Sequence, residues 1–533
     1  MAIREEIDGG SCWCAVSISR RSALSAIVLA GLAGCTRSTK KPSINVRDYG
    51  ARGDGKADDS AAIQAAVKAL RAGDTLYFPN GKYRFAERYP SGEAAISITG
   101  ISDVAIEFDG NAELVMDNID EAEATGTSHG VLIRGPASRI ALRKVKIRWA
   151  SQPPRSLGDG IRIVGYPTGL SSVLHGWIGS PAPVSNVALY DCEVRSSPQA
   201  GVIFVGVSDI DVTNLQAHET AADGLHFNAC RRASVSRHTA TDNGDDGLAL
   251  VTEYSDRPTF DGDAQTFAFP GLTDWSNSDF EITDVRVSGG RANGVRLSGA
   301  NRVLLRGVEV ADKRSGAGVM VDSTAQVTSE SKWLHVASRG VRLEDITVAD
   351  CELGIHLLGR PDTKGDNRFT DFDVAVSDVG IRNCTNWAVR VESLTTRPVT
   401  GFELSGCDVA ATSISEGNGG VGFGNTHDLN IDKVFVTHAQ LAVVFLAENS
   451  HRLNVGAVKL SIDQTNEADD DSIPCAYFDN SDGTINAMDV SWPQAPETWV
   501  PVQFTAETFK AHSLAIRTLS VTPDSVVNHM GVG

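Results

Sequence analysis

Three aspartates are the clearest candidates for chemistry in this sequence. Asp223 stands directly before one glycine, and Asp246, next to Asp245, stands before another glycine 23 residues further along. Carboxyl groups that are held close together push their pKa values apart, so that one stays protonated as a general acid while another acts as a base. We therefore expect acid–base catalysis at these three side chains.

Further polar side chains follow the same pattern around glycines. Two occupy the position before a glycine, and three lie two residues after one; they are Asp159 and Asn293, and Arg162, His226 and Arg296. We predict that these five side chains bind substrate near the aspartates. An Asp or Asn before glycine is also an ordinary turn residue, which can stack in a hydrogen-bonded ladder. This structural alternative applies most strongly to Asp159.

The elements that must position these side chains repeat along the chain. Gly201, Gly224 and Gly247 are 23 residues apart, and each leads a short segment in which apolar residues alternate with others. A constant period of this length, with one short strand per period, predicts a solenoid of stacked coils. Other glycine-led segments continue the pattern at Gly130, Gly160, Gly294, Gly318 and Gly354.

Three insertions enter just after glycine-led strands, at residues 165–184, 252–277 and 322–338. Because they leave the coils at one corner, we expect a wall along one edge of one sheet. Their aromatic residues could serve as platforms for sugar rings or could pack the loops onto the coils. These residues are Tyr166, Trp177, Tyr254, Phe260, Phe267, Phe269, Trp275 and Trp333, together with His175 and His335.

Paired carboxyls beside such a groove suit glycosidic bond hydrolysis. In the inverting reaction a water fits between an acid and a base that are about 6.5–9.5 Å apart, which side chains on adjacent coils can reach. No metal or other cofactor is expected for this reaction. The chain has a formal net charge of −19, so nucleic acid is not an expected partner.

The N-terminus reads as an export signal. A pair of arginines, Arg20 and Arg21, precedes an apolar run that is too short to span a bilayer and ends at Cys35. The arginines resemble a twin-arginine signal, and the sequence around Cys35 resembles a bacterial lipobox, which implies a lipid anchor on Cys35 as the membrane contact. We expect an exported protein of the periplasm or cell envelope. The other cysteines lack metal-site spacing and are predicted to be mostly buried in the core.

The predicted domain organisation follows from these segments. Residues 1–35 form the signal, 36–42 a linker, 43–90 a capping segment, 91–470 the coils and 471–533 a C-terminal cover. Within the capping segment, Ile63, Val67 and Leu70 have helical spacing, with Asp58 or Asp59 as the cap. Such a helix would cover the open end of the core.

Residues 44–83 closely resemble the opening of pectate-lyase-superfamily proteins related to rhamnogalacturonases and polygalacturonases. The resemblance implies an all-β fold, a right-handed parallel β-helix with an N-terminal capping helix. Polygalacturonases carry Asn-x-Asp-Gly followed by Gly-x-Asp-Asp, and Asp223, Asp245 and Asp246 match their catalytic aspartates. Asn293 stands where that family has histidine, and Ser298 where it has the lysine that holds a uronate carboxylate, which counts against galacturonan as the substrate.

Two alternatives to a glycoside hydrolase stay open at this level. A polysaccharide lyase would use His226 or Arg296 to remove the proton beside a uronate, with carboxylates binding Ca²⁺. A glycan-binding β-helix would use the same groove without turnover. In all three cases the partner is a polysaccharide or oligosaccharide.

Overall fold

The computed structural model describes residues 43–533, except 171, 328–332, 363, 415–416, 466–471 and 512. The predicted signal, linker and Cys35 anchor lie outside the described residues, so export and lipidation stay predictions. Among the described residues, no helix is long and apolar enough to cross a membrane.

The described chain folds into a right-handed parallel β-helix. Its first sheet contains one short strand from each coil, and these strands pair in parallel along the axis. In chain order they are Ala94–Thr99, His129–Arg134, Ile161–Val164, Val202–Val205, Leu225–Asn228, Leu248–Val251, Val295–Ser298, Ala317–Thr324, Leu353–Arg360, Val389–Ser393, Val421–His427, Phe445–His451, Ala476–Asp479, Val502–Phe504 and Met530–Val532. All eight glycines chosen from the sequence fall directly before or within these strands, which confirms the predicted register.

The second sheet contains the rest of each coil and bends where residues adopt positive φ. At this bend, Asn214, Arg237 and Asp284 stack in successive coils with φ of 54–56°. The strands of this sheet are Ser43–Asn45, Asp54–Asp58, Thr75–Phe78, Gly81–Phe85, Ala105–Phe108, Ala112–Met116, Ala137–Arg143, Lys146–Trp149, Val184–Tyr190, Glu193–Arg195, Val207–Thr213, Gln216–His218, Arg231–Thr241, Ser278–Ser288, Asn301–Ala311, Arg339–Ala349, Asp371–Arg382, Thr400–Ala411, Asn430–His438, Leu453–Ile462, Gly483–Ser491, Leu514–Ile516 and Leu519–Thr522.

The core lies between the two sheets and runs the length of the coils. The inward residues of each strand are apolar and stack on their equivalents one coil away, as Phe204 does on Phe227, with ring centroids 5.1 Å apart. The six cysteines of the described chain, Cys192, Cys230, Cys351, Cys384, Cys407 and Cys475, are buried free thiols in this structure. Their burial agrees with the expectation that they are small core residues.

One amphipathic helix covers the N-terminal end of the core, as predicted. It spans Ser60–Ala69 and buries Ile63 against the first coils. Of the two predicted caps, Asp58 accepts a hydrogen bond from the amide of Ser60, the first residue of the helix, at 3.0 Å. The Asp59 carboxylate instead accepts from the amides of Arg52 and Gly53. The remaining helical elements of the described chain are the 3-10 turns Val46–Tyr49 and Asn367–Phe369 and the helix Ala506–Ala511.

Strand stacking does not stop at the predicted boundary near residue 470. The strands Ala476–Asp479, Val502–Phe504 and Met530–Val532 continue the first sheet in parallel register. Only the glycine-led sequence pattern fades there, because apolar residues of other types fill the same inward positions. The insertion at 252–277 is a loop rather than a coil, and it contains a separate sheet of Glu253–Tyr254, Thr259–Asp261 and Thr266–Phe269. A further small pairing joins Ile119–Asp120 to Thr125–Gly126.

Candidate active site

The three aspartates meet at the edge of the first sheet. Asp223 lies just before the strand Leu225–Asn228, and Asp245 and Asp246 lie just before the next strand, Leu248–Val251. One oxygen of each carboxylate lies within 4.8 Å of one oxygen of each of the other two. The 23-residue period brings them together because it places the two turns one coil apart.

A hydrogen-bonded ladder runs through the positions before the strand glycines. Oδ1 of Asp223 accepts from the amide of Asp246 at 3.0 Å, and Oδ1 of Asp246 accepts from the amide and the Nδ2 atom of Asn293, both at 2.9 Å. Asn293 in turn accepts from the amide of Ala317 at 3.0 Å. The ladder expected of turn residues is therefore present, but it uses one oxygen per carboxylate. Asn293 is a partner of Asp246 rather than a side chain free to bind substrate.

The second oxygen of Asp223 faces His226 on the following strand. Nδ1 of His226 lies 2.7 Å from Oδ2 of Asp223, and both side chains are only slightly exposed. His226 takes an outward position of the strand, so the bond forms between two side chains of one coil. This contact confirms the proximity that the pattern around glycines predicted for His226.

Asp246 is the most buried of the three carboxyls, at 3% exposure. Burial, followed by the negative charge of Asp223, raises its pKa to about 7, and the positive charge of Arg296 only partly opposes this. Its Oδ2 atom accepts no hydrogen bond from any residue that the structure describes. Asp246 can therefore carry a proton near neutral pH on an oxygen that points away from the ladder.

Asp245 has a cationic partner that sequence reasoning missed. Nη1 of Arg155 lies 2.7 Å from Oδ2 of Asp245, and Nε of the same arginine donates to Gln199. Burial and the charge of Asp223 raise the pKa of Asp245, and the bond from Arg155 lowers it in part. Arg155 is 90 residues away in sequence and outside the repeat, so no sequence signal pointed to it.

Arg296 belongs to a buried cluster of charges beside the carboxyls. Asp322 joins Nη2 of Arg296 at 3.0 Å and Nη1 of Arg360 at 3.2 Å, and it accepts a third bond from Ser298. Although burial opposes ionisation, the charge of Arg296 holds the pKa of Asp322 well below its usual range. About a quarter of the Arg296 side chain stays exposed, which leaves it able to contact a ligand. Neither Asp322 nor Arg360 was identified from sequence.

Asp159 and Arg162 were predicted to bind substrate near the aspartates, but the structure places both away from the carboxyl cluster. Asp159 is fully buried, and its carboxylate binds Nη1 of Arg162 at 2.9 Å, Nδ1 of His129 at 3.3 Å and the amide of Ala200 at 3.0 Å. Burial opposes its ionisation, but the bonds to His129 and Arg162 hold its pKa well below the usual range. The pair therefore has a structural role, because Asp159 and Arg162 bind each other. The coil of Gly201 also lies between this pair and Asp223.

Most loop aromatics pack against the sheet rather than lining an open groove. Phe267, Phe269 and Trp275 are buried, and Trp177 and Phe260 pack against the same cluster. Packing is thus the interpretation that the structure supports for these residues. The same insertion places Glu253 near His226, and burial raises the pKa of Glu253 to about 7.

The three aspartates are also the single group in the described chain that gathers three side chains of metal-ligand type. Carboxylate oxygens are suitable ligands for Ca²⁺. Asp223, however, already uses one oxygen for the amide of Asp246 and the other for His226. Asp245 uses one oxygen for Arg155, and Asp246 uses one for Asn293.

The fold and this site define the class of protein: a right-handed parallel β-helix with a carboxylate site on its first sheet. Residues 43–129 match the family model described as "Rhamnogalacturonase A/epimerase, pectate lyase-like". This match covers the capping segment and the first coils, and it agrees with the pectate-lyase-like resemblance that the sequence of this part implied.

The chain matches only short parts of individual curated relatives. Mannuronan C5-epimerase AlgE3 of Azotobacter vinelandii is 26% identical over 220 residues, which is 40% of this chain and 11% of the relative. Alginate lyase 7 of the same organism is 42% identical over 78 residues, 14% of this chain and 9% of the relative. The chain thus spans about a tenth of the length of these curated relatives.

Among solved structures, a Family 28 exopolygalacturonase from Yersinia enterocolitica is similar, with a TM-score of 0.47. Its sequence is 13% identical, and the match covers 86% of this chain and 79% of that chain.

Proposed function

We propose that the protein is a carbohydrate-active enzyme that hydrolyses glycosidic bonds of a polysaccharide or oligosaccharide. The observation that carries the proposal is the meeting of Asp223, Asp245 and Asp246 within 4.8 Å, with the pKa of Asp246 raised to about 7. A carboxyl that is protonated near neutral pH beside ionised carboxylates is the arrangement that general acid–base cleavage of a glycoside needs.

In this proposal Asp246 is the general acid. Its unpaired Oδ2 donates a proton to the glycosidic oxygen as the bond to the anomeric carbon breaks. Asp223, held by His226 and by the amide of Asp246, takes a proton from the attacking water. Arg155 keeps negative charge on Asp245, which stabilises the developing positive charge on the sugar ring.

The stereochemical course follows from the proposed roles of acid and base. The resemblance to polygalacturonases implies inversion, for which acid and base are usually about 6.5–9.5 Å apart. The proposed attack by a water that Asp223 deprotonates is a single displacement, so it predicts inversion. Proton NMR of the first anomer released distinguishes inversion from retention.

A screen of acidic and neutral glycans tests the proposal, with new reducing ends and absorbance near 235 nm recorded together. Hydrolysis yields reducing ends without the absorbance of an unsaturated product. Asp246→Asn should lose about 10²–10⁴-fold in rate, whereas Asp209→Asn, in an exposed pair with Arg232 on the second sheet, should cleave at the normal rate. Full activity of Asp246→Asn contradicts the proposal.

A second candidate is elimination or epimerisation at a uronate, which starts with removal of the proton beside the carboxyl group. The His226–Asp223 pair favours it, since an imidazole oriented by a carboxylate is a suitable base. The names of the curated relatives, an epimerase of mannuronan and a lyase of alginate, agree with such chemistry. Absorbance near 235 nm that a chelator abolishes identifies the lyase. Binding without any product identifies a glycan-binding protein.

A further inference from the structure

Two of the insertions, residues 165–184 and 252–277, join into one body. The amide of Phe260 donates to the carbonyl of His175 at 2.8 Å, and the amide of His175 donates to Pro258 at 2.9 Å. Between them the rings of Trp177 and Phe260 meet edge to face, with centroids 4.9 Å apart, and Trp177 also stacks on Phe267. We call this body the covering cluster; its aromatic members are Tyr166, Trp177, Phe260, Phe267, Phe269 and Trp275.

The covering cluster sits on the outer face of the first sheet, on the N-terminal side of Asp223. Val164, Ile203 and Val205, which point outward from the two preceding strands, are buried beneath it at 8%, 9% and 0% exposure. Asn228 fixes the position of the cluster, because its side chain exchanges two hydrogen bonds with the backbone of Phe267, at 2.7 and 3.2 Å. Outward positions that would normally face solvent are therefore covered.

A second segment, residues 151–158, closes the opposite edge at the same end. Its Arg155 bonds to Gln199 and then to Asp245, and its Gln152 bonds to the carbonyl of Glu219. Gln199, Glu219 and Asp245 belong to three successive coils. The contacts of this segment thus span the turns of three coils, including the turn that carries Asp245.

On the C-terminal side of the carboxyls the sheet surface is more open. The side chains of Arg296 and Arg360 retain 26% and 22% exposure, against 9% for Arg162 on the covered side. Coils are stacked about 4.8 Å apart, so Ile203 beneath the cluster lies about one coil from His226, the residue with which it pairs across the sheet. Among the residues that the structure describes, a groove along the sheet therefore has one covered end and one open end, with the three carboxyls beside the covered end.

We propose that the protein acts at a chain end of its glycan. The inference rests on the proposed glycan cleavage, and it specifies where along the polymer the cut falls. A chain that enters from the Arg296 side can extend past the carboxyls only until it meets Ile203 and the covering cluster. Internal bonds of a long chain cannot reach Asp246, because the polymer would have to continue through the cluster.

The test uses the full protein and the glycan on which the activity screen finds cleavage. We expect solution viscosity to fall slowly as reducing ends accumulate, and mass spectrometry to show one short product size from the earliest time point. A rapid loss of viscosity with a ladder of product sizes overturns chain-end action while leaving glycan cleavage intact. No reducing ends or unsaturated product from any glycan overturns the proposed function and this inference with it.

A double variant and its control test whether the covering cluster limits cleavage to a chain end. Trp177→Ala combined with Phe260→Ala thins the covering cluster at side chains that are only partly buried. Viscosity loss per reducing end should then rise, and longer products should appear. Phe435→Ala, an exposed aromatic on the second sheet, is the matched control and should keep the single product. If the double variant folds and still releases one product size, the covering cluster does not limit the groove.

Discussion

Nδ1 of His226 lies 2.7 Å from Oδ2 of Asp223, and this bond joins the strand of one coil to the turn that carries the carboxyl cluster. The bond fixes the direction of a carboxylate that must accept a proton from water. We expect His226→Ala to lower kcat/KM by about 10–100-fold, the effect of losing one hydrogen bond to a charged group. His218→Ala, whose ring contacts Gln216 on the second sheet, should retain normal activity. Normal kcat/KM for His226→Ala would remove this histidine from the mechanism.

Arg155 controls the charge of Asp245 through a single bond. Removing it in Arg155→Ala leaves only the charge of Arg296 to oppose burial and the charge of Asp223, so the pKa of Asp245 rises further. The acidic limb of the pH–rate profile should move to higher pH. Arg155 is about half exposed, so the shift should shrink at high salt. Arg155→Lys keeps the charge and is the control; an unchanged acidic limb in Arg155→Ala contradicts the assignment.

The raised pKa of Asp246 predicts a pH-dependent stability. Its pKa in the folded protein is about 7, above the ordinary aspartate pKa of 3.8, so the folded state binds this proton more tightly than the unfolded state. The resulting stabilisation is full below pH 4 and is lost as the pH rises through 7. Asp246→Asn, which stays neutral, should melt a few degrees above the wild type at pH 8.

Thermal melting of both proteins at pH 5 and pH 8 measures this effect. The difference between them isolates Asp246, since Glu253, whose pKa burial also raises to about 7, is present in both. A variant that melts below the wild type at pH 8 would show that the Asp246 carboxylate is stabilised in the folded state.

Asp322 should matter for stability because two arginines depend on it. Asp322→Ala leaves the guanidinium groups of Arg296 and Arg360 without their shared partner, and we expect a loss of about 2–4 kcal/mol in the free energy of unfolding. Asp428→Ala removes an exposed pair with Arg452 and should cost about 0–1 kcal/mol. Chemical denaturation compares the two variants; equal losses would contradict a buried role for Asp322.

The sequence alone determined the repeat and, with it, the central part of the site. A 23-residue period and alternating apolar residues place Leu225 over Leu248 in the observed register. Because that register is local and repeated, Asp223 and Asp246 had to stack one coil apart. The position of His226 followed from the same alternation. The family resemblance of residues 44–83 agreed with the observed first coils.

Only the tertiary structure decided which polar side chains lie at the carboxyl cluster and which are buried away from it. Arg155 reaches the site from outside the repeat, and no period relates it to Asp245. Arg360 ends a strand of the first sheet and bonds back to Asp322 on the strand before it.

Asp159 also stands directly before a strand glycine, as Asp223 does, but it is fully buried and bonded to His129, Arg162 and the amide of Ala200. Periodicity specifies the direction in which a side chain points. Its exposure depends on what irregular segments fold across it, and these segments carry no repeat from which their path can be predicted.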